Sequence, residues 1–178
     1  MSRYEEVILV DSSDKQVGTM EKIEAHRKGV LHRAFSVFIF DKKNNLIIQK
    51  RAINKYHSGG LWSNTCCGHP NPGEDTLFAA KRRLFEEMGL KCILYYGFKH
   101  LYKANVRGGL IEYELDYVLF GITEDQPQPA SSEVEDWAIF SIKELNNKVK
   151  TEPQLFTEWF KLLFNKTIEF YELQHMSI

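Results

Sequence analysis

Five side chains able to hold a divalent cation stand out in this sequence. His26 and His32 lie between two strand-like runs, His69 closes Asn64-Thr-Cys-Cys-Gly-His69, and Glu112 and Glu114 are two residues apart. Three imidazoles and two carboxylates form an N3O2 set, which suits octahedral Mn²⁺ or Mg²⁺, or Zn²⁺ above its usual coordination of four. The carboxylates sit about 6.6–6.8 Å apart along an extended strand, so both reach one ion only with side chains bent inward. Cys67 adds a thiol. With an ordinary pKa of about 8.5 it is protonated at neutral pH, whereas a carboxylate beside a metal stays ionised. An acid and a base of this kind suit general acid–base catalysis. Taken singly, each histidine also reads as a capped or solvent-facing residue, Glu112-Tyr-Glu114 as the polar face of an edge strand, and Cys67 as a small buried hydrophobe. That plainer reading is preferred for His57, His100, His175, Cys66 and Cys92, and Trp62 and Trp137 are read as packing residues.

The elements that must position these groups follow from periodicity. Glu6 to Val10 and Gln16 to Met20 flank a turn at Asp11 to Asp14, and Phe35 to Phe40 and Leu46 to Lys50 repeat the pattern as a hairpin around Asp41 to Asn45. Leu77, Ala80, Leu84 and Met88 recur near the helical period, with Asp75 or Thr76 as N-cap and Gly89 as the stop, which predicts a helix over Thr76 to Met88. From Leu110 to Ile122 apolar and polar residues alternate, so Glu112, Glu114 and Asp116 share one face of a strand. Val134 to Ile139 reads as a strand, Ser141 to Asn147 as a short helix, and Pro153 as the opening of a helix bearing Leu155, Phe156, Trp159, Leu162 and Leu163.

The run Gly68-His-Pro-Asn-Pro-Gly-Glu74, continued by Arg82-Arg-Leu-Phe-Glu-Glu-Met-Gly-Leu90, resembles the Nudix box: Gly, five residues, Glu, seven residues, then Arg-Glu-aliphatic-x-Glu-Glu-x-Gly-aliphatic. Successive helical turns put Arg83, Glu86 and Glu87 at i, i+3 and i+4, where carboxylates can hold Mg²⁺ on a diphosphate. The plain alternative is a solvated helix with ion pairs Arg82/Glu86 and Arg83/Glu87, worth ~0.3–0.5 kcal/mol each. One fixed position departs from the pattern. Where the hydrolases of this superfamily place a glutamate that helps bind metal and activate water, this chain has Arg83, which repels Mg²⁺ and can grip a phosphate oxygen.

His26-x5-His32, Asn64-x-x-Cys67-Gly-His69-Pro70, the altered box and Glu112-x-Glu114 together resemble the type 1 isopentenyl-diphosphate isomerase family, from about Val7 to Phe164. The resemblance implies a Nudix-type mixed-sheet α/β/α sandwich with N-terminal additions and a C-terminal helix, a single domain over 1–178. It also implies reversible conversion of isopentenyl to dimethylallyl diphosphate, and one divalent metal held by His26, His32, His69, Glu112 and Glu114. By the same resemblance Cys67 and Glu114 are catalytic, Tyr102 hydrogen-bonds Glu114, and Trp159 steadies a carbocation with its indole face, which is worth ~1–2 kcal/mol when desolvated. Lys22, Arg51, Lys55 and Arg83 match its phosphate-binding positions, and Glu87 the ligand of a second Mg²⁺ on the substrate diphosphate. Tyr113 between the glutamates and Cys66 before Cys67 depart from its pattern.

Composition sets the frame. The 178 residues are 43% hydrophobic and 26% charged with a net charge of −1, which excludes a disordered chain and argues against a nucleic acid or an anionic membrane as main partner. No apolar run approaches the ~20 residues of a spanning helix, the start lacks a signal-peptide layout, and three cysteines are an odd number. These features predict a cytoplasmic protein with reduced thiols; a small-molecule diphosphate as partner is what the resemblance implies, and a monomer or weak dimer is expected. A Nudix-type diphosphate hydrolase is the alternative enzyme, and a non-catalytic metal-binding module a third class that leaves Cys67 and Trp159 without a role.

Overall fold

The computed structural model describes residues 5–175, apart from the side chain of His175. The elements run β1 (Glu6–Val10), β2 (Gln16–Glu21), α1 (Lys22–Lys28), β3 (His32–Phe40), β4 (Leu46–Arg51), β5 (Trp62–Ser63), β6 (Cys66–Gly68), α2 (Thr76–Met88), β7 (Leu94–Val106), β8 (Leu110–Ile122), β9 (Val134–Phe140), α3 (Ile142–Thr151) and α4 (Glu158–His175). A 3-10 turn occupies Pro153–Leu155. Thus Pro153 opens this turn and not the helix. The chain stays extended at Phe156, where the Thr157 N–H donates to the Trp62 carbonyl at 2.9 Å, and α4 starts only at Glu158.

β3 is the hub of the sheet. It runs parallel to β8 from His32↔Glu114 to Phe40↔Ile122, and antiparallel to β1, β4 and β6. β7 pairs with the far side of β8, so β8 is interior and its acidic face belongs to no edge. Because successive side chains alternate, β3 feeds two cores. Phe35, Val37 and Ile39 pack with Ala80, Leu84 and Met88 of α2, while Phe38 and Phe40 pack with Phe160, Leu163 and Phe164 of α4. Burial of each such side chain contributes about 1.5–3 kcal/mol. This is the mixed α/β/α sandwich. Trp62 and Trp137 do pack against the two cores, Cys66 is fully buried in the α2 core, and all three cysteines are free. No described helix is long and apolar enough to cross a membrane.

Candidate active site

α1 carries His26, and its ends are chemically fixed. Glu21 caps it by accepting from the N–H groups of Ile23 and Glu24, and Gly29 closes it with φ 58°. A Cβ on Gly29 would lie 3.1 Å from Ile111, so glycine lets the helix end approach β8. His32 begins β3 and pairs with Glu114, which pairs in turn with Tyr102 on β7. Residues in register share a face. One rung therefore lines up an imidazole, a carboxylate and a phenol.

The tautomers of two imidazoles are set by the backbone. The Nδ1–H of His26 donates to the Lys22 carbonyl at 2.7 Å and that of His32 to the Val30 carbonyl at 2.8 Å. A carbonyl only accepts, so in the neutral ring it is Nε2 that carries the lone pair and can bind a metal. Both Nε2 atoms are buried and have no hydrogen-bond partner among the described residues. An unsatisfied buried polar atom costs ~1–3 kcal/mol, a cost that a bound cation would remove, so these residues fit a metal. The ligand atoms of His26, His32, His69 and Glu114 lie within 4.8 Å of one another. Glu112 groups instead with His26 and His57.

Burial works against charge on Glu114, but the imidazoles of His26, His32 and His69 hold its carboxyl well below the usual range. Burial and the neighbouring Glu114 push Glu112 well above it. Burial also draws His69 down to about 4, so this imidazole is neutral and able to ligate. Tyr102 donates toward both carboxylates, at 2.6 Å to Glu114 Oε2 and 3.2 Å to Glu112 Oε2.

Cys67 lies on β6 opposite Ser36 of β3, four residues along from His32 and on the same face. Roughly 13 Å of strand separates the two rungs. Burial pushes the Cys67 thiol up to about 12, opposed by Arg51, whose Nη1 is 3.8 Å from Sγ. The Arg51 guanidinium also lies 5.0 Å from the Trp159 ring centroid, and the Trp159 Nε1–H donates to Asn64 Oδ1 at 3.1 Å. On the same face Asp116 accepts from Ser36 Oγ at 2.8 Å, and burial lifts it to about 8.

Asp75 caps α2 and Gly89 ends it with φ 66°, as the spacing requires. The pairs Arg82/Glu86 and Arg83/Glu87 both form, at 3.2 and 2.5 Å. Arg83 also reaches Glu133 at 2.8 Å, and Glu87 accepts from Gln49 at 2.8 Å. Lys55 pairs with Glu133 and Lys22 with Glu5, whereas Arg51 Nε has no partner among the described residues. One pocket is lined by all four of these predicted phosphate-binding cations together with Cys67, His69, Glu87, Tyr102, Glu112, Glu114 and Trp159. His26 and His32 lie behind its wall, fully buried.

His57 corrects the sequence reading. It is 5% exposed, not solvent-facing, and its Nε2 is 3.5 Å from Glu112 Oε1. It sits in the irregular Ala52–Leu61 loop, where no periodicity marks a buried position. His100, on β7, joins no ligand group, and the side chain of His175 lies outside the described residues.

The sheet and the box together define a Nudix domain, and the NUDIX domain family model matches residues 30–160. The chain is 52% identical over 167 residues to a Pectobacterium atrosepticum isopentenyl-diphosphate Delta-isomerase, covering 94% of this chain and 93% of that protein. The Serratia proteamaculans protein of the same name is 47% identical, with 88% and 87% covered. The chain belongs to the isopentenyl-diphosphate isomerase family. The fold alone is shared with DR0079 from Deinococcus radiodurans, at a TM-score of 0.77, 15% identity, and coverage of 91% and 98%.

Proposed function

We propose that this chain interconverts isopentenyl and dimethylallyl diphosphate as a single domain, with Cys67 and Glu114 as the proton-transferring pair. The observation that carries the reading is one pocket lined by both Cys67, whose thiol pKa burial pushes up, and Glu114, whose carboxyl the neighbouring imidazoles hold down, so an acid and a base face the same cavity. The Cys67 thiol gives its proton to the terminal carbon of the double bond. Glu114 takes one from the carbon next to the diphosphate-bearing carbon, and the double bond moves without loss of phosphate. Tyr102 fixes the Glu114 carboxylate through its hydrogen bond. The indole of Trp159, whose face already accepts the Arg51 guanidinium, accepts the positive charge that develops between the two steps.

His26, His32, His69, Glu112 and Glu114 would hold one divalent ion, Mn²⁺, Mg²⁺ or Zn²⁺, which supplies the positive charge that keeps Glu114 ionised. Lys22, Arg51, Lys55 and Arg83 bind the diphosphate, and Glu87 holds the Mg²⁺ that accompanies it. Substrate phosphates take over donors that now face Glu5, Glu86 and Glu133. A monomer or weak dimer in the cytoplasm, with no nucleic acid or membrane partner, fits the near-zero net charge and the free thiols.

The test is incubation with isopentenyl diphosphate and Mg²⁺, scoring dimethylallyl diphosphate and inorganic phosphate separately. Isomer without phosphate supports the reading. Phosphate alone selects a hydrolase, and neither product leaves a binding module.

A further inference from the structure

We propose that Asn64 is a positioning residue for the isomerisation, a buried amide that sets the indole of Trp159 against the strand bearing Cys67. The inference rests on the roles proposed above for Trp159 and Cys67. Asn64 is fully buried in the turn between β5 and β6 and does not line the pocket, so it touches no substrate. Its polar contacts nevertheless lead to the two groups that do. The Trp159 Nε1–H, on α4, donates to Asn64 Oδ1 at 3.1 Å, and Asn64 Nδ2 donates to the Cys66 carbonyl at 2.6 Å. The Ser63 hydroxyl donates to the same oxygen at 2.9 Å, and Nδ2 also donates to the Val37 carbonyl at 3.2 Å.

The amide can face only one way. An indole N–H only donates and a carbonyl only accepts, so exchanging the oxygen and nitrogen of the amide would set donor against donor and acceptor against acceptor. With two bonds at each end, the side chain's capacity is filled. The Cys66 carbonyl belongs to the planar peptide that carries the Cys67 N–H, so the bond to it fixes the plane from which the thiol projects. The start of α4 is tied to the same turn by other groups, since the Thr157 N–H donates to the Trp62 carbonyl at 2.9 Å and its hydroxyl to Ser63 Oγ at 3.2 Å. Those contacts fix where the helix begins, whereas the bond to Asn64 fixes how the Trp159 ring is turned. The turn matters because the face of an aromatic ring is negative and its edge positive, so it decides whether the indole attracts or repels a developing cation.

The experiment compares the full-length wild type, Asn64→Ser, Trp159→Phe and the double variant. It measures kcat and KM for isopentenyl diphosphate, and inhibition by a diphosphate in which a protonated tertiary amine replaces the cationic carbon. Such an analogue reports affinity for the transition state. Asn64→Ser should lower kcat and analogue affinity together, by about 10–100-fold, the scale for a misplaced group, at unchanged KM. The loss should be much smaller in the Trp159→Phe background, because both changes break one contact. Equal loss in both backgrounds, or an analogue affinity untouched by Asn64→Ser, overturns the proposal and leaves Asn64 as a support of the turn. In the isotope-labelled wild type, the Trp159 indole N–H resonance, assigned by its loss in Trp159→Phe, should be protected from solvent exchange. Exchange at the rate of an exposed indole overturns the proposal whatever the folding of Asn64→Ser. A wild type that binds the amine no tighter than isopentenyl diphosphate refutes the carbocation reading itself, and this inference with it.

Discussion

Tyr102 Oη stands 2.6 Å from Glu114 and 3.2 Å from Glu112, a single phenol bridging two carboxylates whose proton affinities are driven in opposite directions. The bridge follows from register, because Tyr102 and Glu114 are cross-strand partners on β7 and β8. Tyr102→Phe keeps the ring in the core and removes only the oxygen. Turnover should fall about 10–100-fold, the usual scale for lost support at a metal site, with bound metal retained. Steady-state kinetics with elemental analysis of the same preparation checks this; unchanged turnover would show that the two carboxylates need no common donor.

The adjacent cysteines separate by face. Cys67 faces the pocket and Cys66 the α2 core, so Cys67→Ala should abolish turnover with fold and metal intact. Cys66→Ala should stay active while losing about 1 kcal/mol of stability from a small cavity. Equal loss of activity in both variants would mark the thiols as structural.

Arg83 ties Glu86, Glu87 and Glu133 together. Arg83→Glu converts an attraction for diphosphate into a repulsion and also removes the Arg83 partner of the buried Glu87. A charge-assisted contact is worth ~1.5–3 kcal/mol, so KM should rise more than tenfold, and Tm should fall as well. A lower Tm at unchanged KM would place the phosphates elsewhere and reduce Arg83 to an ion-pair residue.

Asp116 gives a pH signature. Its folded pKa of about 8 lies above the ordinary 3.8, so the stability linked to its proton is complete below 3.8 and is lost as pH rises through about 8. Asp116→Asn is neutral throughout and escapes this loss. In chelator-treated protein, denaturant unfolding at pH 5 and pH 8 should therefore show the variant gaining on the wild type at the higher pH, by at most about 1.4 kcal/mol per pH unit. A constant difference would mean that Asp116 is ionised in the fold.

The chemistry was legible in the sequence where it rests on local spacing. The α2 caps at Asp75 and Gly89, the i, i+4 pairs of the box and the shared face of Glu112 and Glu114 are all short-range relations. What was not legible depends on tertiary context. Alternation placed the carboxylates on one face, but only the cover of β8 by α1 and its flanking by β3 and β7 make that face the buried one. β7 went unread because a bulge between Tyr96 and Phe98 breaks its period. His57 is buried by a loop whose course no pattern announces, and the pairing of Lys55 and Arg83 through Glu133 joins residues far apart in the chain.

The parallel pairing of β3 with β8 also bears on how the molecule is made. His32 and Glu114 meet only after the eighty or so intervening residues have been laid down as hairpin, loop and α2. Contacts of such separation form late, since loop closure must precede the gain they bring. A cation that needs both residues would find its seat only once this pairing is made; where the pairing follows the transition state, such a cation would slow unfolding more than it changes the folding rate, a kinetic lock on a chain that has already found its shape.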